Sequence, residues 1–307
     1  MYSLRQTGQA ESLFLSGILG QTEKVLSERE QDMPAFDLAE FERQMSVLQR
    51  TFSRPTEFLP TLKAVFERYG LPSHRTGNAV KGVPEPAYHV SELILRQIEL
   101  ALLPLVHENQ GIVLRLADVL WKDRYYEVRM LGAYLVGKAP LEPSSAIVDF
   151  LKRSITATDE LDMQVLLLAR GSERLRREES AYWLETLEEW LHLPQEMDTR
   201  IGLRSLLSIV EDQSFENIPP VFRMLEPFLL DVSREQESAL RLLIAALAKR
   251  TPIETAYFLQ EVIPYFENER SLSLVRSCLE YFEDENQLLV RDSLRLKMTA
   301  GRKDADD

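Results

Sequence analysis

Apolar residues recur at three- and four-residue spacing along most of the chain, the pattern of helices that each bury one stripe. Between Glu92 and Val106 the stripe is Leu95, Ile98, Ala101, Leu102 and Leu105. Ile112, Leu116, Val119 and Leu120 repeat it, as do Val128, Leu131 and Leu135, where small Gly132 and Ala133 permit close helix approach. Trp183, Leu187, Trp190 and Leu191 form a further stripe. No stretch alternates with a period of two between turn dipeptides, so strands find no support. The pattern predicts an all-α chain, a solenoid of stacked antiparallel helix pairs.

Punctuation between the stripes supports this. Ser233 with Gln236 and Thr251 with Glu254 have the spacing of a capping box, in which each side chain answers an orphan amide of a first helical turn. Pro252 falls at a first helical position, where its missing N–H costs nothing, and Asn217 precedes Pro219 and Pro220 in the same manner. Gly171 reads as a C-terminal stop. The segment 71–87, rich in Pro, Gly and polar residues and without periodicity, reads as a loop. It divides an N-terminal helical region, 1–70, from the main solenoid, 88–298, and residues 299–307 read as a disordered tail.

Composition narrows the chemistry. Hydrophobic content of 45% and charged content of 28% are those of an ordinary folded protein. No apolar run reaches membrane-spanning length, and the N-terminus lacks the pattern of a secretory signal, so a cytoplasmic location away from membranes is expected. Cys278 is the only cysteine, which rules out an internal disulfide and a cysteine cage for a metal. His74, His89, His107 and His192 are scattered at no metal-ligand spacing, and no phosphate-cradling glycine loop or nucleophile elbow occurs; no metal or cofactor is expected. Net charge is −13, and residues 178–307 carry nearly all of the acidic excess, whereas residues 1–177 are close to neutral. Neutralising phosphates supplies most of the affinity for nucleic acid, so the acidic part argues against DNA while the neutral part leaves room for a local basic face.

Three segments carry a family likeness: KGVPEPAYHVSELILRQI (81–98), LADVLWKDRYYEVRMLGAYLVGK (116–138) and REQESALRLLIAALAKRTPIETAYFLQ (234–260). From about Val80 onward the chain resembles the DNA alkylation repair family, the AlkD-like glycosylases built from HEAT-like repeats. The resemblance implies a HEAT-like helical solenoid that releases alkylated purines from DNA. Such chemistry needs a carboxylate to stabilise positive charge on the sugar, aromatic walls against the nucleotide and cations on the backbone. Against the family's pattern, Asp162 stands at the carboxylate and Thr158 where the first aromatic belongs. Leu242 takes the place of the second aromatic, and Ala245 and Ala246 that of an Arg-Glu pair. A family arginine persists as Arg200 or Arg204. The resemblance therefore implies a scaffold that kept its fold and lost much of its site.

Several residues have two readings. Asp162 is either the remaining catalytic carboxylate or an acid placed in a first turn by the helix dipole. The cluster Arg170, Arg174, Arg176 and Arg177 either grips phosphates or belongs to a solvated loop, and Lys122, Arg124, Lys152 and Arg153 would extend the same patch. Trp121, Trp183 and Trp190 read as core, although an exposed Trp183–Trp190 pair would form a recognition platform. Glu127 and Arg129 read as charges answering nearby backbone groups. The leading expectation is a scaffold that binds double-stranded DNA or a protein partner, its glycosylase chemistry lost. The alternative is a DNA glycosylase using Asp162, with the arginines on the phosphates.

Overall fold

The structure is a computed structural model and describes residues 38–70, 86–192 and 196–306. The first 37 residues and most of the segment read as a loop, 71–85, lie outside the described residues. Apart from one isolated bridge between Gly70 and Val90, no strand occurs among the described residues, and the chain is all-α. The residues group into two compact units, 1–150 and 151–307, with the division inside a helix.

In the first unit lie α1 (Leu38–Thr51), α2 (Pro55–Tyr69), α3 (Glu92–Val106), α4 (Gln110–Trp121), α5 (Tyr126–Lys138) and the start of α6 (Ser144–Thr156). The packing is two-layered: α1, α3 and α5 touch in succession, and α2 touches α4. Short links fold α2 back on α1 and α5 back on α4, as helix hairpins require. The α4–α5 pair is closest because Gly132 leaves room: a Cβ there would stand 3.2 Å from Leu120 Cβ and 3.4 Å from the Ala117 carbonyl oxygen. The buried stripes match the sequence pattern after a small rotation. On α3 the fully buried row is Ile94, Ile98, Leu102 and Val106, with Leu95, Ala101 and Leu105 on its flanks.

The second unit contains α7 (Leu161–Gly171), α8 (Glu173–Glu178), α9 (Ser180–Leu191), α10 (Glu196–Glu211), α11 (Pro219–Leu230), α12 (Glu237–Arg250), α13 (Pro252–Val262), α14 (Glu269–Ser277) and α15 (Asp284–Asp306). One layer runs α7, α10, α12, α14 and the other α9, α11, α13, α15. Trp183 and Trp190 are buried and meet edge to face, their centroids 5.6 Å apart, so they are core and form no surface platform. α15 continues through Asp306, into the segment expected to be a disordered tail.

The helix starts differ from the capping pattern. Ser233 and Gln236 close a turn, Gln236 N–H to the Ser233 carbonyl at 3.3 Å, and α12 begins only at Glu237 without a side-chain cap. Thr251 stands at the start of α13 with Pro252 behind it, but it also ends α12, and its N–H and hydroxyl turn back to the Leu247 carbonyl. Ile218, not Asn217, precedes Pro219. Gly171 is the last residue of α7, and Glu173 opens the next helix two residues later. Among the described residues Ser91, Asn109 and Asn268 do cap, each accepting from the amide three residues ahead.

Glu127 and Arg129 answer backbone groups, as read from their place at a helix start. Glu127 is buried and accepts the Tyr88 amide at 2.9 Å and the Val90 amide at 3.4 Å. Between them His89 holds a left-handed φ of 53°, a conformation that needs outside support. Arg129 Nε donates to the Trp121 carbonyl at 3.2 Å, and its guanidinium lies 5.5 Å from the centre of the buried Trp121 ring. Glu127→Ala would leave two amides without a partner, and should lower stability by about 2–4 kcal/mol. A shift in urea midpoint at constant slope measures this; an unchanged midpoint refutes it.

Candidate functional site

Asp162 stands in the first turn of α7, a position the helix dipole favours for an acid. It is exposed, and no hydrogen bond or ion pair holds its carboxylate among the described residues. Partial burial, followed by the charge of Glu160, raises its carboxyl above the usual range. Four residues earlier Thr158 is buried, its hydroxyl donating to the Ser154 carbonyl at 2.9 Å. It presents no ring.

The neighbour of α7 in its layer is α10, which carries Arg200 and Arg204 one turn apart. Arg204 Nη1 donates to Gln164 Oε1. Gln164 is itself buried and donates from Nε2 to the carbonyls of Thr158, at 2.5 Å, and Ile155, at 3.3 Å. Burial, then the nearby Arg200 charge, lowers the pKa of Arg204. Arg200 Nε is buried without an acceptor among the described residues. Gly202 lies between the two arginines where a Cβ would come within 2.8 Å of the Leu191 side chain, so only glycine lets α10 pack this closely on the end of α9. Next in the layer, α12 presents Leu242, Ala245 and Ala246 half-buried, and none of them offers an aromatic surface or a charge.

The arginine cluster is not a loop: Arg174, Arg176 and Arg177 lie in α8, with Arg170 in the last turn of α7. Arg176 points inward. It is only 7% exposed, pairs with Asp212 at 2.8 Å, and donates to the Ser172 hydroxyl at 2.6 Å and the Leu168 carbonyl at 3.2 Å. It cannot reach a phosphate, because packing the adjacent Leu175 turns this face of α8 into the core. Arg174 and Arg177 remain at the surface, paired within their own helix to Glu178 at 2.9 Å and Glu173 at 3.9 Å. Lys122 and Arg124 belong to the first unit. Lys122 pairs with Asp118 at 2.6 Å, and Arg124 stacks over the Tyr125 ring, 4.9 Å from its centre.

Two clusters carried no periodic signal. Tyr88 and Tyr125 stack with centroids 4.1 Å apart, and Lys63 lies over Tyr125 while pairing with Asp123 at 2.6 Å. The Gln164–Arg204 link is the second; a lone buried glutamine between aliphatic residues was its only trace in the sequence.

A profile described as "DNA alkylation repair enzyme" matches residues 87–282. Among solved structures, that of smu.31 from Streptococcus mutans UA159 aligns at 19% identity, covering 62% of this chain and 94% of that one, with a TM-score of 0.47. Comparison with curated proteins returns no match.

The Arg176–Asp212 pair gives a test of which arginines are structural. Burial pushes the Asp212 carboxyl up, but hydrogen bonds from Ser214 and Arg176 and the Arg176 charge together outweigh it and hold the carboxyl below its ordinary value. The stability it contributes is therefore complete above the unfolded value of about 3.9 and is lost as pH falls through the lower, folded value. Arg176→Gln and Asp212→Asn should each destabilise by about 3 kcal/mol near neutral pH. The Asp212→Asn deficit should shrink below about pH 3.9. Arg174→Gln and Arg177→Gln should stay within about 0.5 kcal/mol. Equal effects for all four, read by urea denaturation, would defeat this division.

Proposed function

The chain belongs to the DNA alkylation repair enzyme family, and from that premise we propose that it binds duplex DNA as a scaffold, with base excision of the AlkD-like kind lost. One observation carries the reading: Thr158, where the family's first aromatic belongs, is buried with its hydroxyl committed to the Ser154 carbonyl. Leu242 replaces the second aromatic on α12. Base–aromatic stacking contributes about 1–3 kcal/mol per contact. Losing two such contacts removes about 2–6 kcal/mol of support for the lesion, or about 30-fold to 10⁴-fold in rate if it is all expressed in the transition state.

What remains suits binding. Arg200 and Arg204 supply cations on a helix beside the one that bears Asp162. A glycosylase with a rebuilt pocket is the second reading, favoured by the exposed carboxylate of Asp162, which has no partner among the described residues and is available to a developing sugar cation. A third, in which the acidic residues 178–307 meet a basic protein partner, is motivated by charge alone.

Binding to a duplex with one abasic-site analogue, measured at low and moderate salt, separates these. The scaffold reading expects binding that weakens about tenfold between 50 and 200 mM salt if about two phosphates are neutralised. It also expects release of a methylated purine no faster than the spontaneous rate. Robust release that vanishes in Asp162→Asn would overturn it in favour of the glycosylase. No binding at low salt would remove DNA and leave the protein partner.

A further inference from the structure

The acidic excess of the second unit gathers on one of its two layers. α9 carries Glu185, Glu188 and Glu189, α11 carries Glu226, and α13 carries Glu254 and Glu261, all exposed. Arg223 is the sole basic residue of those three helices. No ion pair or hydrogen bond holds any of these carboxylates among the described residues. The other layer is not acidic in this way: α12 alone sets Arg241, Lys249 and Arg250 against Glu237. Each outer helix turns one row to solvent at helical spacing. On α9 the row is Ala181, Glu185, Glu188 and Glu189; on α13 it is Ile253, Tyr257, Gln260 and Glu261. Where α9 offers carboxylates, α13 thus offers Ile253 and Tyr257, 57% and 56% exposed, and Tyr265 just beyond the helix is 70% exposed. Packing does not account for them, because α13 packs through Thr255, Ala256, Leu259 and Val262. One scattered apolar residue at a surface is ordinary. Two on one helical row and a third at its end, rimmed by unanswered carboxylates, make a patch that calls for a partner.

We infer that the outward face of α9, α11 and α13 docks a basic helical segment of a protein partner, its apolar end seated on Ile253, Tyr257 and Tyr265 and its cations on the glutamates. A tyrosine ring suits both parts of such a segment, since it buries apolar contact and attracts a cation to its face. Charge decides among the occupants. A duplex or an anionic surface would bring like charge against the carboxylates. A second copy seated about a twofold axis would set Glu254 and Glu261 against the same residues of its own kind. Only a basic partner answers the row. Its length follows from the layer: neighbouring helices lie about 8–10 Å apart, so the path from α13 across α11 to α9 takes about 11–13 helical residues. The inference rests, for the sign of the partner's charge, on the reading in which residues 178–307 meet a basic protein; it adds the face and the apolar anchor. It uses neither α10 nor Asp162, and so stands beside the DNA reading.

The test titrates the full chain into a fluorescent helical peptide of about 13 residues, with leucines at one end and lysines along the rest. A twin with glutamates for lysines is the control, and anisotropy is read at low and moderate salt. The lysine peptide should bind, and more weakly as salt rises; the twin should not bind. Ile253→Ala with Tyr257→Ala should weaken binding by about tenfold or more. Glu254→Gln with Glu261→Gln should weaken it about fivefold and flatten its salt dependence. Glu42→Gln with Glu108→Gln takes the same charge from exposed sites of the first unit, and should change affinity by no more than about twofold. All the substituted side chains are exposed, and circular dichroism checks that each variant folds. Binding that survives loss of Ile253 and Tyr257, or falls equally with the first-unit pair, would overturn the site and leave the charge reading standing. No binding of the lysine peptide at low salt would overturn both. Dimerisation in sedimentation that Tyr257→Ala abolishes would overturn the inference in favour of a second copy.

Discussion

A helix leaves the carbonyls of its last turn without partners, and an all-α chain meets that problem at every helix end. This protein meets it with long side chains reaching over from other elements. Arg250, at the end of α12, donates to the carbonyls of Ile209, Val210, Asp212 and Phe215 and so gathers in the end of α10 and the turn beyond it. Arg176 reaches the Leu168 carbonyl of α7, Arg129 the Trp121 carbonyl of α4, and Gln110 the carbonyls of Pro140 and Pro143. Each contact ties one helix end to a different helix, so capping and tertiary packing are the same interaction. A charged donor is worth about 1.5–3 kcal/mol in such a bond, more than a neutral one. Arginine is accordingly used as mortar.

That use explains which parts of the molecule were legible in the sequence. The Gly132 contact, the buried tryptophans and the backbone role of Glu127 and Arg129 all follow from spacing along single helices, which a sequence displays directly. Arg176 misleads because its neighbours in sequence are exposed arginines, while its partner Asp212 comes from a distant helix end. Thr251 misleads for a related reason. One residue serves as the end of one helix and the start of the next, and the preceding helix claims its donors. The division of the chain inside α6 is a property of packing between helices and left no mark in composition.

The candidate site was legible as a set of positions and not as a set of contacts. Asp162, Arg200 and Arg204 were picked out by their places in a family pattern, and α7 and α10 do lie together. Gln164 was not, since a buried glutamine between aliphatic residues has no signature until its carbonyl acceptors are known. Its role depends on Thr158 as well. The threonine leaves its own carbonyl to the Gln164 amide while its hydroxyl turns to Ser154, so the position where the family's ring belongs is built into the support of an arginine.

The acidic excess of residues 178–307 bears on this same arrangement. In this acidic unit Arg174, Arg176, Arg177, Arg241 and Arg270 find a carboxylate, whereas Arg276 and Arg291 rest on the Met298 sulfur and the Gln287 amide. Arg204 belongs with the second group, since its acceptor among the described residues is the neutral Gln164 amide. On the adjoining helix of the layer, α12, the half-buried Leu242, Ala245 and Ala246 carry no charge. The Arg-Glu pair of the family pattern would have brought a second carboxylate to α12, besides Glu237 in its first turn; alanines stand in its place. The substitutions that weaken the case for base excision thus also take a charged pair off the helix that packs against α10.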